Sequence, residues 1–218
     1  MMGKPIVVIL VNGRPIAEPW LVENIDVIIE AWEPGAKGGE ALAGIIMGQI
    51  NPSGKLPITI PYSVGHLQAI YDHKPSAYRH KFVDTPTKNL FEFGFGLSYS
   101  TYEYEAPKLS KKQIKSDEST SISVKLTNTG KYGGAEIVQL YIRDDFSQIT
   151  RPVKELKGFK RIYLESGESA TIEFLVEPDM LAYYNRDMEW TVEQGSYTLM
   201  IGPSSRQSDL KSAKLIVK

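Results

Sequence analysis

The first 60 residues alternate apolar runs with turn-forming residues, a pattern that predicts an α/β arrangement. Residues 6–11 form an unbroken aliphatic run, which is typical of a strand covered on both faces in a mostly parallel sheet. The other predicted elements are a short helix over residues 19–24, a strand over 25–32, an amphipathic helix over 40–49 and an extended segment over 56–60. Three short strands are too few for a complete doubly wound sheet, so we expect a preceding part of this domain.

The second half has a different period, in which apolar residues alternate with polar ones over short runs. Ile122, Val124 and Leu126 show this alternation most clearly. Six further predicted strands follow, at residues 138–142, 156–164, 170–176, 183–192, 197–201 and 215–217. Seven short strands over about a hundred residues predict a β-sandwich. Because the chain has no cysteine, the immunoglobulin disulfide is excluded and a fibronectin type III-like topology is favoured.

Between these parts, residues 61–92 show little periodicity and are rich in Tyr, His, Lys and Pro. A stretch of this length without regular structure is typical of a linker or a functional loop. We therefore expect three parts: a partial α/β segment with a mostly parallel sheet in residues 1–62, an extended connector in 63–105, and an all-β fibronectin type III-like sandwich in 106–218.

Composition and charge narrow the range of partners without selecting a compartment. Of the 218 residues, 42% are hydrophobic and 23% are charged, and the formal net charge is −1. Neither nucleic acid nor a membrane is therefore expected as a partner. No apolar run approaches the ~20 residues needed to span a bilayer. A cytoplasmic, periplasmic or secreted location stays open, since a lack of cysteine is compatible with each.

The residues that could carry chemistry give mostly weak signals. His66, His73 and His80 lie seven apart, but a proline separates the last two and no thiol or carboxylate lies at ligand spacing, so no metal or cofactor is expected. No G-x-S-x-G motif points to a serine hydrolase. The glycine-rich residues 35–39 favour a tight turn over a phosphate cradle. Trp32, beside this turn, could either stack on a sugar or pack in the core.

Several motifs occur together and in order. Residues 31–39 read A-W-x-P-G-x-x-G-G, residues 48–57 read G-x-x-N-P-S-G-x-L-P, and residues 91–99 read FEFGFGLSY. With the ELKGFKR segment at residues 155–161, this set strongly resembles family 3 glycoside hydrolases of the β-glucosidase and β-xylosidase type. The resemblance covers essentially the whole chain and identifies it as the C-terminal portion of such an enzyme: the end of an α/β sandwich domain followed by the fibronectin-like domain.

The resemblance implies a retaining glycosidase as the parent protein. In that mechanism one carboxylate attacks the anomeric carbon while a second, protonated carboxyl assists the leaving oxygen. Similar proteins carry the nucleophilic aspartate in an upstream barrel, within a Ser-Asp-Trp-like motif. Here Ser-Asp occurs at Ser116-Asp117 and Ser208-Asp209, and neither matches. No catalytic residue is therefore assigned in this chain, and we expect it to be inactive alone.

Four residues are candidates for the rim of the parent's substrate cleft: Trp32, His73, Lys74 and Arg79. They border the glycine turn and the polar connector, where they could contact a β-linked oligosaccharide; a connector that merely straps the two domains together is equally compatible. The expected protein partner is the missing barrel domain, or a second copy through the exposed α/β sheet. Two alternatives stay open, a non-catalytic carbohydrate- or protein-binding scaffold and half of a split enzyme.

Overall fold

The computed structural model of the chain describes residues 3–66, 68–75 and 82–218. Its N-terminal part contains two parallel strands, β1 (Val7–Leu10) and β2 (Val27–Glu30), and two helices, α1 (Pro19–Asn24) and α2 (Gly38–Ile46). Helix α1 starts where predicted, because proline occupies its first turn and the Glu18 carboxylate accepts a hydrogen bond from the Trp20 amide at 3.2 Å. The predicted strand–helix–strand–helix order is confirmed for these four elements.

The C-terminal part is a sandwich of two antiparallel-rich sheets. Its strands are β3 (Tyr102–Tyr104), β4 (Lys108–Leu109), β5 (Gln113–Ile114), β6 (Thr120–Asn128), β7 (Gly134–Asp144), β8 (Glu155–Leu164), β9 (Ser169–Val176), β12 (Gly195–Gly202) and β13 (Lys211–Val217). One sheet has the order β5-β13-β12-β7-β8, and the other contains β3, β6, β4 and β9, with β6 paired to each of the other three. A short helix α3 (Pro178–Leu181) precedes a hairpin of β10 (Tyr183–Tyr184) and β11 (Trp190–Thr191).

The core lies between the two sheets and follows the alternation seen in the sequence. In β6, Ile122, Val124 and Leu126 are fully buried and meet Leu140 of β7 and Leu199 of β12 in one hydrophobic cluster. Burying each aliphatic side chain contributes about 1.5–3 kcal/mol relative to exposure, so this shared inner layer stabilises the sandwich. The fold class of an α/β segment followed by a fibronectin-like sandwich is confirmed.

Two predicted strands are wrong in detail. Residues 56–60 form no sheet strand. Leu56 and Ile60 instead exchange backbone hydrogen bonds with the segment around Phe91 and Phe95, because Pro57 and Pro61 lack the amide hydrogens that would extend the pairing. Residues 183–192 form the β10–β11 hairpin rather than one strand, since the Asn185 side chain accepts two backbone amide hydrogen bonds and closes a turn.

The short strands β3, β4 and β5 were missed by the sequence patterns. Strand β3 pairs with β6, so Tyr102–Tyr104 belongs to a sandwich sheet. The domain limits at residues 62 and 105 stay a prediction. In the described part of the chain, none of the helices is long and apolar enough to cross a membrane.

Candidate functional site

Trp32 lies just beyond the carboxyl end of β2, at the sheet edge where open α/β sheets bind ligands. Its carbonyl accepts a hydrogen bond from the Asn12 amide at 3.1 Å, and its own amide donates to Glu30 Oε1 at 3.1 Å. The Asn12 side chain also donates to Glu30 Oε1, at 3.1 Å. These bonds hold Trp32 in the left-handed region, with φ at +50°, which costs a bulky residue about 1–3 kcal/mol. The indole is half-buried.

The glycine-rich turn after Trp32 has a structural explanation. Gly35 adopts a positive φ of 67°, and a β-carbon on Gly38 would lie 2.6 Å from the Pro34 β-carbon. Both glycines are therefore required by the backbone path into α2, which supports the tight-turn interpretation of residues 35–39.

His73 and Lys74 lie in the connector, where it contacts the sandwich just before β8. The His73 carbonyl accepts a hydrogen bond from the Val153 amide at 3.0 Å. The Nδ1 atom of the His73 ring is hydrogen-bonded to the Lys74 carbonyl at 2.9 Å. The Lys74 side chain is exposed. Arg79, the fourth rim candidate, lies outside the described residues. Trp32 and the connector pair are thus positioned by different elements, the first by the parallel sheet and the second by the sandwich.

Tyr71 fixes this part of the connector. Its ring stacks on Phe93 with 4.3 Å between centroids and meets Tyr141 edge-on at 5.8 Å. Its hydroxyl accepts a hydrogen bond from the Leu156 amide at 3.2 Å. Burial raises the pKa of Tyr71, so the hydroxyl stays neutral at physiological pH. The segment that carries His73 is therefore anchored to the sandwich.

His66 is a packing residue in the structure. Its ring stacks on Phe82 at 3.8 Å between centroids, and its Nε2 lies 2.9 Å from the Thr85 hydroxyl. His80 lies outside the described residues. Within residues 3–66, 68–75 and 82–218, no three His, Asp or Glu side chains form a group that could hold a metal ion.

Sequence reasoning missed a buried charge pair between the two parts of the chain. Lys55 Nζ lies 3.0 Å from Glu136 Oε1, and both side chains are nearly excluded from water. The Tyr104 hydroxyl donates to the same carboxylate oxygen at 3.1 Å, and Lys55 also donates to the Gly96 carbonyl at 3.2 Å. Burial raises the pKa of Glu136, and the Lys55 ammonium opposes that rise. The pair joins the segment after α2 to the start of β7 in the sandwich.

Two amides extend this junction. Asn51 donates to the Ser100 hydroxyl and to the Gly133 carbonyl, both at 2.9 Å, and accepts from the Tyr99 amide at 2.9 Å. Deeper along β7, Gln139 donates to the Gly94 carbonyl at 3.1 Å. Both Asn51 and Gly94 belong to the motifs noted in the sequence, so those motifs gave the available signal for the junction.

Comparison with known families divides the chain in two. Residues 1–99 match the glycosyl hydrolase family 3 C-terminal domain, and residues 136–205 match the fibronectin type III-like domain. The predicted resemblance is therefore confirmed.

Curated relatives align over nearly the full chain. A β-xylosidase from Formosa agariphila is 44% identical over 99% of this chain, and a periplasmic β-glucosidase from Salmonella typhimurium is 38% identical over 98%. The chain spans only about 30% of the length of these relatives.

Solved structures of β-glucosidases have the same fold as this chain over nearly its full length. A β-glucosidase from Erythrobacter marinus superposes with a TM-score of 0.93 at 38% identity, covering 97% of this chain and 28% of that one. A β-glucosidase from Listeria innocua, in complex with glucose, gives a TM-score of 0.92 at 33% identity, covering 99% and 31%. Residues 1–99 therefore belong to the glycosyl hydrolase family 3 C-terminal domain, and residues 136–205 belong to the fibronectin type III-like domain.

Proposed function

We propose that this chain is the C-terminal structural part of a retaining β-glycosidase that removes terminal β-linked sugars, and that it is inactive alone. The observation that carries the proposal is the match of nearly the whole chain to only about 30% of a β-xylosidase and a β-glucosidase. Retaining hydrolysis needs two carboxyl groups about 5–5.5 Å apart. In this proposal both carboxyl groups belong to the remainder of the parent.

The supporting role rests on the junction between the α/β segment and the sandwich. A cleft built from several domains keeps its geometry only if those domains are held rigidly together. The buried Lys55–Glu136 pair and the three hydrogen bonds of Asn51 supply such a connection. In this proposal the sandwich braces the α/β domain, and through it the edge where Trp32 lies.

The exposed faces of β1 and β2 suggest where the rest of the parent packs. Val7, Ile9, Val11 and Val27 are all exposed, although they lie in or beside sheet strands. Among the described residues, β1 and β2 pair only with each other. Unpaired strand edges with apolar faces attract further strands or second copies. The proposed occupant is the remainder of the α/β and barrel domains, and the isolated chain should self-associate there.

Sedimentation velocity over a concentration series tests this part of the proposal. The chain should shift to larger species as concentration rises, and Ile9→Lys should weaken the shift. A monomer at all concentrations, with β1 fully protected in hydrogen exchange, would contradict the proposal.

A finer proposal concerns the substrate rim. Trp32, His73, Lys74 and Arg79 would contact a sugar unit beyond the cleaved one. Strained backbone at a ligand-binding sheet edge supports Trp32, and the anchored connector supports His73 and Lys74. In the parent enzyme, Lys74→Met should raise KM for a disaccharide and leave an aryl glucoside unaffected, because the aryl substrate lacks that second sugar. The exposed Lys112→Met serves as the control. Unchanged disaccharide kinetics in both Lys74→Met and Trp32→Phe would overturn the rim assignment.

The assay for the main proposal is hydrolysis of an aryl β-glucoside and an aryl β-xyloside. The isolated chain should give no turnover above buffer, whereas the parent enzyme should hydrolyse at least one of the two. Robust turnover by the isolated chain would overturn the proposal.

A further inference from the structure

The β10–β11 hairpin presents two aromatic rings on the outside of the sandwich. Tyr184 and Trp190 face each other across the hairpin, with 5.0 Å between ring centroids and planes inclined at 58°. They are 55% and 52% exposed, respectively. Two adjoining exposed rings form a contiguous apolar patch, and contiguous patches mark interaction sites more often than single exposed rings do. We refer to this pair of rings as the aromatic corner.

Hydrogen bonds hold the aromatic corner in place. The Trp190 indole N–H donates to Asp179 Oδ1 at 2.8 Å, which fixes the tilt of the ring. The Asn185 side chain accepts hydrogen bonds from the amides of Asp187 and Glu189 at 2.9 and 3.0 Å, which fixes the turn between the strands. Because the indole is already held, stacking a ligand on it costs the protein little additional side-chain freedom.

A cleft of about 470 Å³ adjoins the indole, and its chemistry restricts the occupant. Two carboxylates, Glu177 and Asp179, line it together with Pro178, Trp190 and Thr191, and no Lys or Arg is among the described residues that line it. Carboxylates are strong acceptors for hydroxyl donors and repel anions. A sugar ring can stack its apolar face on the aromatic surface while its hydroxyls donate hydrogen bonds to the carboxylates.

We propose that the aromatic corner and its cleft bind a short stretch of a neutral polysaccharide, with β-linked glucan or xylan as the class. A sugar ring stacks on the exposed face of Trp190 with Tyr184 at its side, and its hydroxyls donate to Glu177 and Asp179. The site would hold the protein on an insoluble or polymeric glycan. Binding here requires no catalytic carboxylate, so the site goes beyond the proposed hydrolysis and fails or survives independently of it.

Affinity electrophoresis of the 218-residue chain through gels containing soluble mixed-linkage β-glucan or xylan tests the proposal. The wild-type chain should be retarded by at least one polymer. Tyr184→Ala and Asp179→Ala should each reduce the apparent association constant at least fivefold, with circular dichroism reporting the fold. Phe159→Ala is the matched control, since it removes another exposed aromatic ring from the sandwich and should leave the retardation unchanged.

Fluorescence gives a second readout that does not depend on truncating the hairpin. With Trp20 and Trp32 changed to Phe, Trp190 is the single remaining tryptophan, and cellohexaose or xylohexaose should shift its emission. No retardation by either polymer and no emission change with either hexaose would overturn the proposal. Retardation that Tyr184→Ala and Asp179→Ala leave intact would also overturn it, as would an emission shift with a lysine-rich peptide and none with the sugars.

Discussion

The buried ion pair at the junction gives the sharpest test of how the two parts of the chain are joined. Lys55 and Glu136 are 12% and 6% exposed at the side chain, with 3.0 Å between Nζ and Oε1. Changing Lys55 to Met keeps most of the aliphatic volume but removes the ammonium. Glu136 is then a buried carboxylate that has lost its ion pair but keeps the hydrogen bond from the Tyr104 hydroxyl.

Removing one partner of a buried pair costs about 3–5 kcal/mol, because the other charge stays desolvated. Since Glu136 keeps its bond from Tyr104, we expect a loss at the lower end, about 3 kcal/mol at pH 7.5. For a chain of this size, such a loss lowers Tm by roughly 6–12 °C.

The unfolding free energy lost in Lys55→Met should become smaller as the pH falls. Burial already raises the pKa of Glu136, and loss of Lys55 raises it further. The folded variant therefore binds this proton more tightly than the unfolded chain does, and its deficit in unfolding free energy shrinks as pH falls towards about 4.3, the ordinary pKa of a glutamate.

Urea unfolding at pH 7.5 and pH 5 measures both effects. The control is Lys125→Met, because Lys125 and Glu105 form a pair of the same 3.0 Å length with side chains 49% and 50% exposed. Exposed pairs contribute little, so the control should lose no more than about 0.5 kcal/mol at either pH. A Lys55→Met loss equal to that of Lys125→Met would refute the role of the buried pair, and a loss that grows at pH 5 would refute the pH argument.

Two further predictions concern the sandwich. Gly94→Ala should lower the free energy of unfolding by about 2–4 kcal/mol in urea titrations, because Gly94 has φ of +78° and a methyl group there would overlap the Gln139 carboxamide. The control Gly167→Ala, with φ of +79° and no described atom within 4 Å of the added carbon, should lose only about 1 kcal/mol. Equal losses in the two variants would contradict the steric argument. Burial raises the pKa of Asp144 to about 6 against the opposing charge of Arg151, so the contribution of this carboxyl to stability falls as pH rises from about 4 to about 6. Allowing for solvent screening at this half-exposed site, Asp144→Asn should be about 1 kcal/mol more stable than wild type at pH 7.5 and equal to it near pH 3.5 in thermal melts. A lower Tm of the variant at pH 7.5 would contradict the assignment.

The elements with strong local signals were the ones that could be predicted. Helix Pro19–Asn24 has a proline in its first turn, and buried and less buried residues alternate along strand Thr120–Asn128. The local sequence alone therefore predicts each of these two elements. The strands Lys108–Leu109 and Gln113–Ile114 have two residues each, which is too short to show an alternating pattern, and Gln113–Ile114 pairs with residues about 100 positions further along the chain. The hairpin around Asn185 was misassigned because a side-chain-closed turn has no hydrophobic period.

The candidate site could likewise be predicted only in part. Trp32 could be placed at a strand end because the strand and the glycine turn were both visible in the sequence. The junction could not be derived from periodicity, since Asn51 and Gly133 are 82 residues apart and a buried Lys55–Glu136 pair contradicts the usual expectation that such side chains are solvated. Only the motifs around Asn51 and Gly94 marked this region in advance.

The most direct test of the central claim is a chimera assayed on aryl β-glycosides. The β-xylosidase from Formosa agariphila, which is 44% identical over nearly all of this chain, supplies the upstream domains, and this chain replaces the matching segment. The claim predicts that the folded chimera hydrolyses an aryl β-xyloside or β-glucoside while the 218-residue chain alone gives no turnover above buffer. Turnover by the chain alone, or none by a folded, monodisperse chimera, would contradict it.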